Sequence, residues 1–176
     1  MRYLLFISII SLFLSCNSDC TCKISEANLG SVKAMYDAFA EANVDNVLAG
    51  MSDDITWNEA ENFIYADNNP YQGPNAVLEG VFGRIGAEWE YWNLEDKNFN
   101  AFGGSGVLVT GRYKAKNKAT GKEIDAQFAH VWQLADGKAT SFQQYTDTKQ
   151  VAEAIVLDAT ENEGDEAEDV DSSEGE

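Results

Sequence analysis

The stretch YDAFAEANVDNVLAGMSDDITWNE, Tyr36 to Glu59, decides how this chain is read, because its hydrophobic period changes partway along. Leu29, Val32, Tyr36 and Phe39, followed by Asn43, are spaced three and four apart and mark one face of a helix. Ser25 precedes that face as a candidate cap. After a break near Asn43, Val44, Val47, Leu48 and Met51 continue as a second, short helix. Asp53-Asp54 then introduces Ile55 to Asn58, which reads as a strand and ends at Glu59. A carboxylate set beside large apolar side chains has its pKa raised and becomes able to move a proton. A tyrosine reaching the same space can donate a hydrogen bond to a developing oxyanion, so Glu59 and Tyr36 are the candidate catalytic pair.

Beyond Glu59, residues 60–70 form a loop rich in Asn and Asp, long enough to be functional. Gly73-Pro74 opens another helix with proline at its first position, and Ala76, Val77, Val81, Phe82 and Ile85 supply its apolar face. After residue 88 the period becomes two. The spacing predicts strands over about 89–101, 106–116, 122–134 and 138–147, with turns at Asn117 to Gly121 and at Asp136-Gly137. A short helix over about 148–156 closes the chain's ordered part with Val151, Ala154 and Ile155. Two helices, a strand, a helix and four strands define an α+β layout, with the helices gathered on one face of a curved antiparallel sheet.

The ends differ from this middle. Met1-Arg2-Tyr3, the apolar run Leu4 to Leu14 and Ser15-Cys16 have the form of an export signal. The run is shorter than the roughly 20 residues that a spanning helix needs. Leu12-Phe13-Leu14-Ser15-Cys16 resembles a bacterial lipoprotein box, which implies a signal peptide over 1–15, acylation of Cys16 and a lipidated tether over 16–26. Asn17 in place of aspartate favours the outer membrane over the inner as the anchor's destination. Cys20 and Cys22 read as an incidental pair in the linker. Residues 157–176 carry ten acidic side chains from Asp158 to Glu176 and no basic one, and are expected to be a disordered acidic tail. With a net charge of −18 the chain repels phosphate backbones, which excludes nucleic acid as a partner and leaves the lipid anchor as the sole membrane contact. Residues 27–156 remain as one domain, and all four tryptophans, Trp57, Trp89, Trp92 and Trp132, fall inside it.

Tyr36-Asp37-Ala38-Phe39 with Asp53-Asp54-Ile55-Thr56-Trp57, Tyr71-Gln72-Gly73-Pro74, and the ending from His130-Val131-Trp132 through Asp136-Gly137-Lys138 to Gln144-Tyr145-Thr146-Asp147-Thr148 carry a family resemblance. The domain resembles the cone-shaped superfamily of nuclear transport factor two, ketosteroid isomerase and SnoaL-like polyketide cyclases. That resemblance implies a general base at Glu59 and, allowing one deletion near Asn43, an oxyanion donor at Tyr36. In ketosteroid isomerase a protonated aspartate before a histidine is the second donor; here the pair is Ala129-His130, so that donor is absent. Loss of one such donor removes roughly 3–4 kcal/mol of transition-state stabilisation. The same match turns Ala129 toward the cavity together with Gln127 and Val131. It turns Phe128, His130 and Trp132 outward, onto a face that forms a homodimer interface in this superfamily. Trp57, Tyr71 and Phe142 are then expected as cavity walls, and Gln127 and Gln144 as groups orienting the ligand. No cofactor or metal is implied.

Three readings follow. In the first, the exported, lipid-anchored domain binds a small, mostly apolar or aromatic molecule in the cone. In the second, Glu59 and Tyr36 make it an isomerase, cyclase or dehydratase that needs no cofactor. In the third it is a structural envelope homodimer whose cone is filled by its own side chains. The missing donor at Ala129 favours the first, since fold alone does not decide chemistry.

Overall fold

The computed structural model describes residues 17–158, with side chains from Cys22 onward. The signal peptide, Cys16 and residues 159–176 of the acidic tail lie outside the described residues. Among those described, no helix is long and apolar enough to cross a membrane.

Helix α1 (Asn17–Ala40) starts well before Ser25, the expected cap, and lays Val32, Met35 and Tyr36 into the core. Ala42, with φ of 55°, breaks the helix, and Asn43 caps α2 (Val44–Ala49) by accepting the Asn46 N–H at 3.2 Å. Met51 does not extend that helix. It opens strand β1 (Met51–Asn58), because the chain turns at Gly50, where a Cβ would lie 2.5 Å from Met35 Cγ. A two-residue strand that the periodicity was too short to mark, β2 (Tyr71–Gln72), pairs with β1. The next helix is continuous but uneven: α3 (Gly73–Val77), a π turn (Leu78–Phe82) and α4 (Gly83–Glu88).

Four long strands follow, β3 (Trp89–Phe102), β4 (Gly106–Asn117), β5 (Glu123–Ala135) and β6 (Lys138–Thr146), and α5 (Thr148–Ala154) ends the described fold. The meander and the helix positions agree with the α+β cone expected. The sheet order is β2-β1-β6-β5-β4-β3. One pairing differs from the expectation of a wholly antiparallel sheet: β1 lies parallel to β6. The helical segment after β1 carries the chain across to β3, so the last strand returns alongside the first and in the same direction. Register shifts at Trp89/Tyr91, Glu95/Asn98 and Gln133/Leu134 interrupt the ladders. Such bulges bend and twist strands, and they curl the sheet around the helices.

The concave face is aromatic. Cross-strand pairing sets Val107 beside Trp132 and Trp132 beside Phe142, while Phe142 pairs with Trp57 on β1. Trp57 and Phe142 stack with centroids 3.7 Å apart, and Trp132 meets both, at 5.6 and 4.6 Å. Phe142 is among the largest fully buried side chains. Phe142→Ala is expected to lower the unfolding free energy by about 3–5 kcal/mol, read from urea denaturation, because the ring is stacked and has no solvent-facing edge to collapse toward.

Candidate functional site

Alternation along β5 decides which side chains reach the cone's interior. Ile124, Ala126, Phe128, His130, Trp132 and Leu134 are buried, whereas Gln127 is exposed and Ala129 and Val131 lie on that outer face. This reverses the expectation. The sequence match had set Ala129 inward, and in a strand an error of one residue moves every side chain to the opposite face. Gln127 is therefore not a cavity group. It borders a shallow outer groove with Arg112 and Tyr145, and its carbonyl accepts from the Thr146 hydroxyl. His130 and Trp132, assigned to the outside, are inside. A usable signal was present in the sequence: of the two alternating sets on β5, the inner one holds the large apolar residues.

Inside the cone is a cavity of about 60 Å³. Tyr36, Trp57, Glu59, Phe142 and Gln144, all expected there, line it, and so do Tyr113, His130 and Trp132. Tyr71 does not. Its buried hydroxyl lies 2.6 Å from the Tyr65 carbonyl oxygen and 3.1 Å from Asp67 Oδ1, directed into the 60–70 loop. Arg84 ties the same loop to α4 by bonding both Asp67 oxygens and the Ile64 carbonyl. The partly exposed side chains of Phe39, Phe82 and Ile85 form the cavity's helical side, and Leu94 joins them from β3. By comparison, about 150 Å³ admits a benzene molecule into an engineered cavity.

Glu59 stands just past the end of β1 and is only 2% exposed. Asn69 grips its main chain from across the loop, accepting the Glu59 N–H at 3.0 Å and donating to its carbonyl at 2.7 Å. Trp57, two residues earlier on the same face, donates its indole N–H to Glu59 Oε1 at 2.6 Å. The other carboxylate oxygen, Oε2, is buried with no partner. Burial pushes the Glu59 pKa up to about 7, against the smaller lowering effect of the Trp57 hydrogen bond.

Across the cavity, His130 pairs across β5 and β6 with Gln144. Its Nδ1 lies 2.5 Å from the Tyr36 hydroxyl and its Nε2 2.5 Å from the Tyr113 hydroxyl. Burial pulls the imidazole pKa down to about 3, so the ring is neutral near pH 7. Burial also pushes both tyrosines above the ordinary phenol range. Gln144 braces the arrangement: its Nε2 donates to Tyr113 at 2.9 Å and its Oε1 accepts the Ala60 N–H at 3.1 Å. Tyr113 had no mark in the sequence beyond strand alternation. Among the described residues, no cluster of three or more His, Cys, Asp or Glu side chains could hold a metal ion. The site thus brings a buried carboxyl group of raised pKa and a row of neutral hydrogen-bonding side chains to one small cavity.

A curled six-stranded sheet backed by N-terminal helices is the NTF2-like architecture. The chain belongs to the SnoaL-like domain family, whose model matches residues 32–142. It is similar to an NTF2-like protein from Burkholderia thailandensis, at 30% identity over 73% of this chain and 97% of that one, with a TM-score of 0.66. It is also similar to TerC, whose crystals were grown with polyporic acid, at 25% identity over 73% of this chain and 98% of that one, with a TM-score of 0.66. A protein described as a candidate polyketide cyclase, from Xanthomonas campestris, shares the fold at 16% identity, covering 76% of this chain and 99% of its own, with a TM-score of 0.66. No curated protein matches this chain significantly.

The raised pKa of Glu59 has a definite sign in stability. The folded state holds its proton up to about pH 7, whereas an unperturbed glutamate releases it near 4.5. The Glu59 contribution to stability therefore falls as pH rises from about 4.5 to about 7 and then levels, by a total on the order of 3 kcal/mol. Glu59→Gln is expected to be more stable than the parent protein at pH 8.5 and nearly equal to it at pH 4.5, measured by urea unfolding at both values.

Proposed function

We propose that this domain binds a small, mostly apolar carbonyl compound in its cone and moves a proton on it, with Glu59 as the base. The observation that carries the reading is the buried, unpartnered Oε2 of Glu59, a residue that lines a largely aromatic and aliphatic cavity. A carboxyl group with a pKa of about 7 is divided between its two forms at neutral pH, so it can both take and return a proton. Glu59 takes the proton from a carbon next to the carbonyl. The C–H electron pair forms the C=C bond, and the carbonyl electrons move onto oxygen, which accepts a hydrogen bond from one of the two tyrosines flanking His130. Return of the proton from Glu59 to a different carbon completes an isomerisation; attack of the enolate carbon on a second carbonyl of the same molecule, whose oxygen takes the proton back from Glu59, completes a cyclisation. The co-crystallised acid of TerC and the cyclase descriptions of other neighbours support a small organic substrate.

The geometry favours this over ligand storage alone. A binding pocket gains nothing from holding one carboxylate oxygen dry and unpaired, which costs stability above pH 4.5. The cavity as it stands is smaller than an aromatic ring needs, so a larger substrate enters by displacing Phe82. That ring is carried on the π turn and contacts Phe39 and Trp57 at 5.7 and 5.6 Å. π turns interrupt the helical ladder and recur at functional sites.

The location belongs to the same proposal. Export, acylation at Cys16 and a homodimer at the envelope surface would set the cone beside a membrane that supplies apolar compounds. Incorporation of radiolabelled palmitate into the full chain, lost in Cys16→Ser, is the expected outcome; labelling that survives the substitution removes the anchor.

The reaction is tested by loss of deuterium from the α-carbon of a panel of small ketones and β-dicarbonyl compounds, followed by NMR. Glu59→Gln is expected to slow exchange about 10²–10⁴-fold. Equal rates in the two proteins overturn the assignment of the base. A panel in which no compound raises the melting temperature overturns the ligand class.

A further inference from the structure

The hydrogens along the row of groups around His130 do not all have somewhere to go. The Tyr36 hydroxyl meets Nδ1 and the Tyr113 hydroxyl meets Nε2. Each tyrosine oxygen also accepts from a group that can only donate to it: the Trp132 indole N–H, 3.2 Å from Tyr36, and the Gln144 amide N–H, 2.9 Å from Tyr113. The amide orientation of Gln144 follows from its Oε1, which is occupied by the Ala60 N–H. A neutral imidazole has one N–H and one lone pair. One tyrosine donates to the lone pair and the other accepts from the N–H. The hydroxyl hydrogen of that second tyrosine then has no acceptor among the described residues. A charged ring would leave both hydrogens unplaced, so at least one O–H is directed elsewhere in either state, and both tyrosines line the cavity.

The choice between the two follows from what surrounds them. Ala60 follows Glu59 in the chain, its N–H holds Gln144, and Gln144 holds Tyr113, so Tyr113 stands on the carboxylate's side of the row. Tyr36 sits at the other nitrogen and is bonded to Trp132 instead.

We propose that His130 is held with its hydrogen on Nε2, donating to Tyr113, and that the Tyr113 O–H points into the cavity as the donor that meets the ligand's oxygen opposite Glu59. Tyr36, which the sequence marked for that role, spends its hydrogen on Nδ1. His130 is then a positioning residue, and Tyr113 touches the ligand. The inference rests on Glu59 as the proton-transfer group and narrows the ligand. It must offer an oxygen acceptor, as a carbonyl, enolate or phenolate does, within one small cavity's width of the proton that Glu59 takes.

His130 is the only histidine of the chain, so ¹⁵N-labelled full-length protein shows a single imidazole in a long-range ¹H–¹⁵N correlation spectrum. A pyrrole-type Nε2 and a pyridine-type Nδ1 are expected. The opposite assignment, or an average of the two, overturns the proposal. Tyr36→Phe should leave the pattern unchanged, whereas Tyr113→Phe removes the acceptor of Nε2–H and should flip the ring to Nδ1–H. The reverse response of the two variants also overturns it. For the ligand, 4-nitrophenol is titrated into Glu59→Gln protein and its phenolate absorbance followed. Adding Tyr113→Phe should weaken binding about tenfold and adding Tyr36→Phe less than about threefold. Equal losses, or no binding, overturn the ligand class. Because the tautomer is read without turnover, failure of Glu59 as a base shows in deuterium exchange and leaves this spectrum as it was.

Discussion

Trp57 couples the core to the chemistry. One face of its indole stacks on Phe142 at 3.7 Å, its edges meet Trp132 and Phe82, and its N–H is given to Glu59 at 2.6 Å. A buried indole needs one hydrogen-bond partner and large apolar surroundings. Here both needs are met by features of the site, the carboxylate and the aromatic lining. The packing that stabilises the cone therefore also sets the position of Glu59 Oε1 and leaves Oε2 buried without a partner. Asn69 completes the restraint from the main-chain side, so neither the backbone nor the side chain of Glu59 is free to drift.

Low dielectric around these groups acts on them in opposite directions. It raises the carboxyl to about 7 and lowers the imidazole to about 3, because in each case the charged form is the one burial disfavours. The stability consequences also have opposite sign. The glutamate contribution falls as pH rises from about 4.5 to 7. The histidine contribution is complete above about 6.5 and is lost as pH falls toward 3, so between about 4.5 and 6.5 the two slopes offset. A site of neutral donors facing a weakly acidic carboxyl group is the result. Polar networks in such surroundings are strong when satisfied and costly when incomplete. The row through Tyr36, His130 and Tyr113 is satisfied everywhere except at one hydroxyl hydrogen.

Much of this was legible in the residues. The change of period at Asp53, the proline at the start of α3 and the Asp136-Gly137 turn lie within a few residues of what they control; β1 opened two residues before that change, at Met51, and the other two features stood where their pattern placed them. Glu59 was legible for the same reason, since Trp57 lies two residues away on the same strand face. The face of β5 was misplaced because it was taken from a matched dipeptide and not from the side chains themselves. Gln127 went with it. Tyr71 read as a wall because its aromatic ring says nothing about which carbonyl its hydroxyl will reach.

By itself the chain's order of residues determined the elements, their sequence and the carboxylate that anchors the site, since helical and strand periodicity depend on neighbours two to four positions apart. Only the tertiary structure decided the parallel pairing of β1 with β6, the inward face of β5 and the partners of His130. Those partners come from α1 and β4, with Tyr36 separated from His130 by 94 positions in the chain. No local pattern records which of two alternating faces a curled sheet will close around, because that is set by the summed burial of side chains brought together from distant elements.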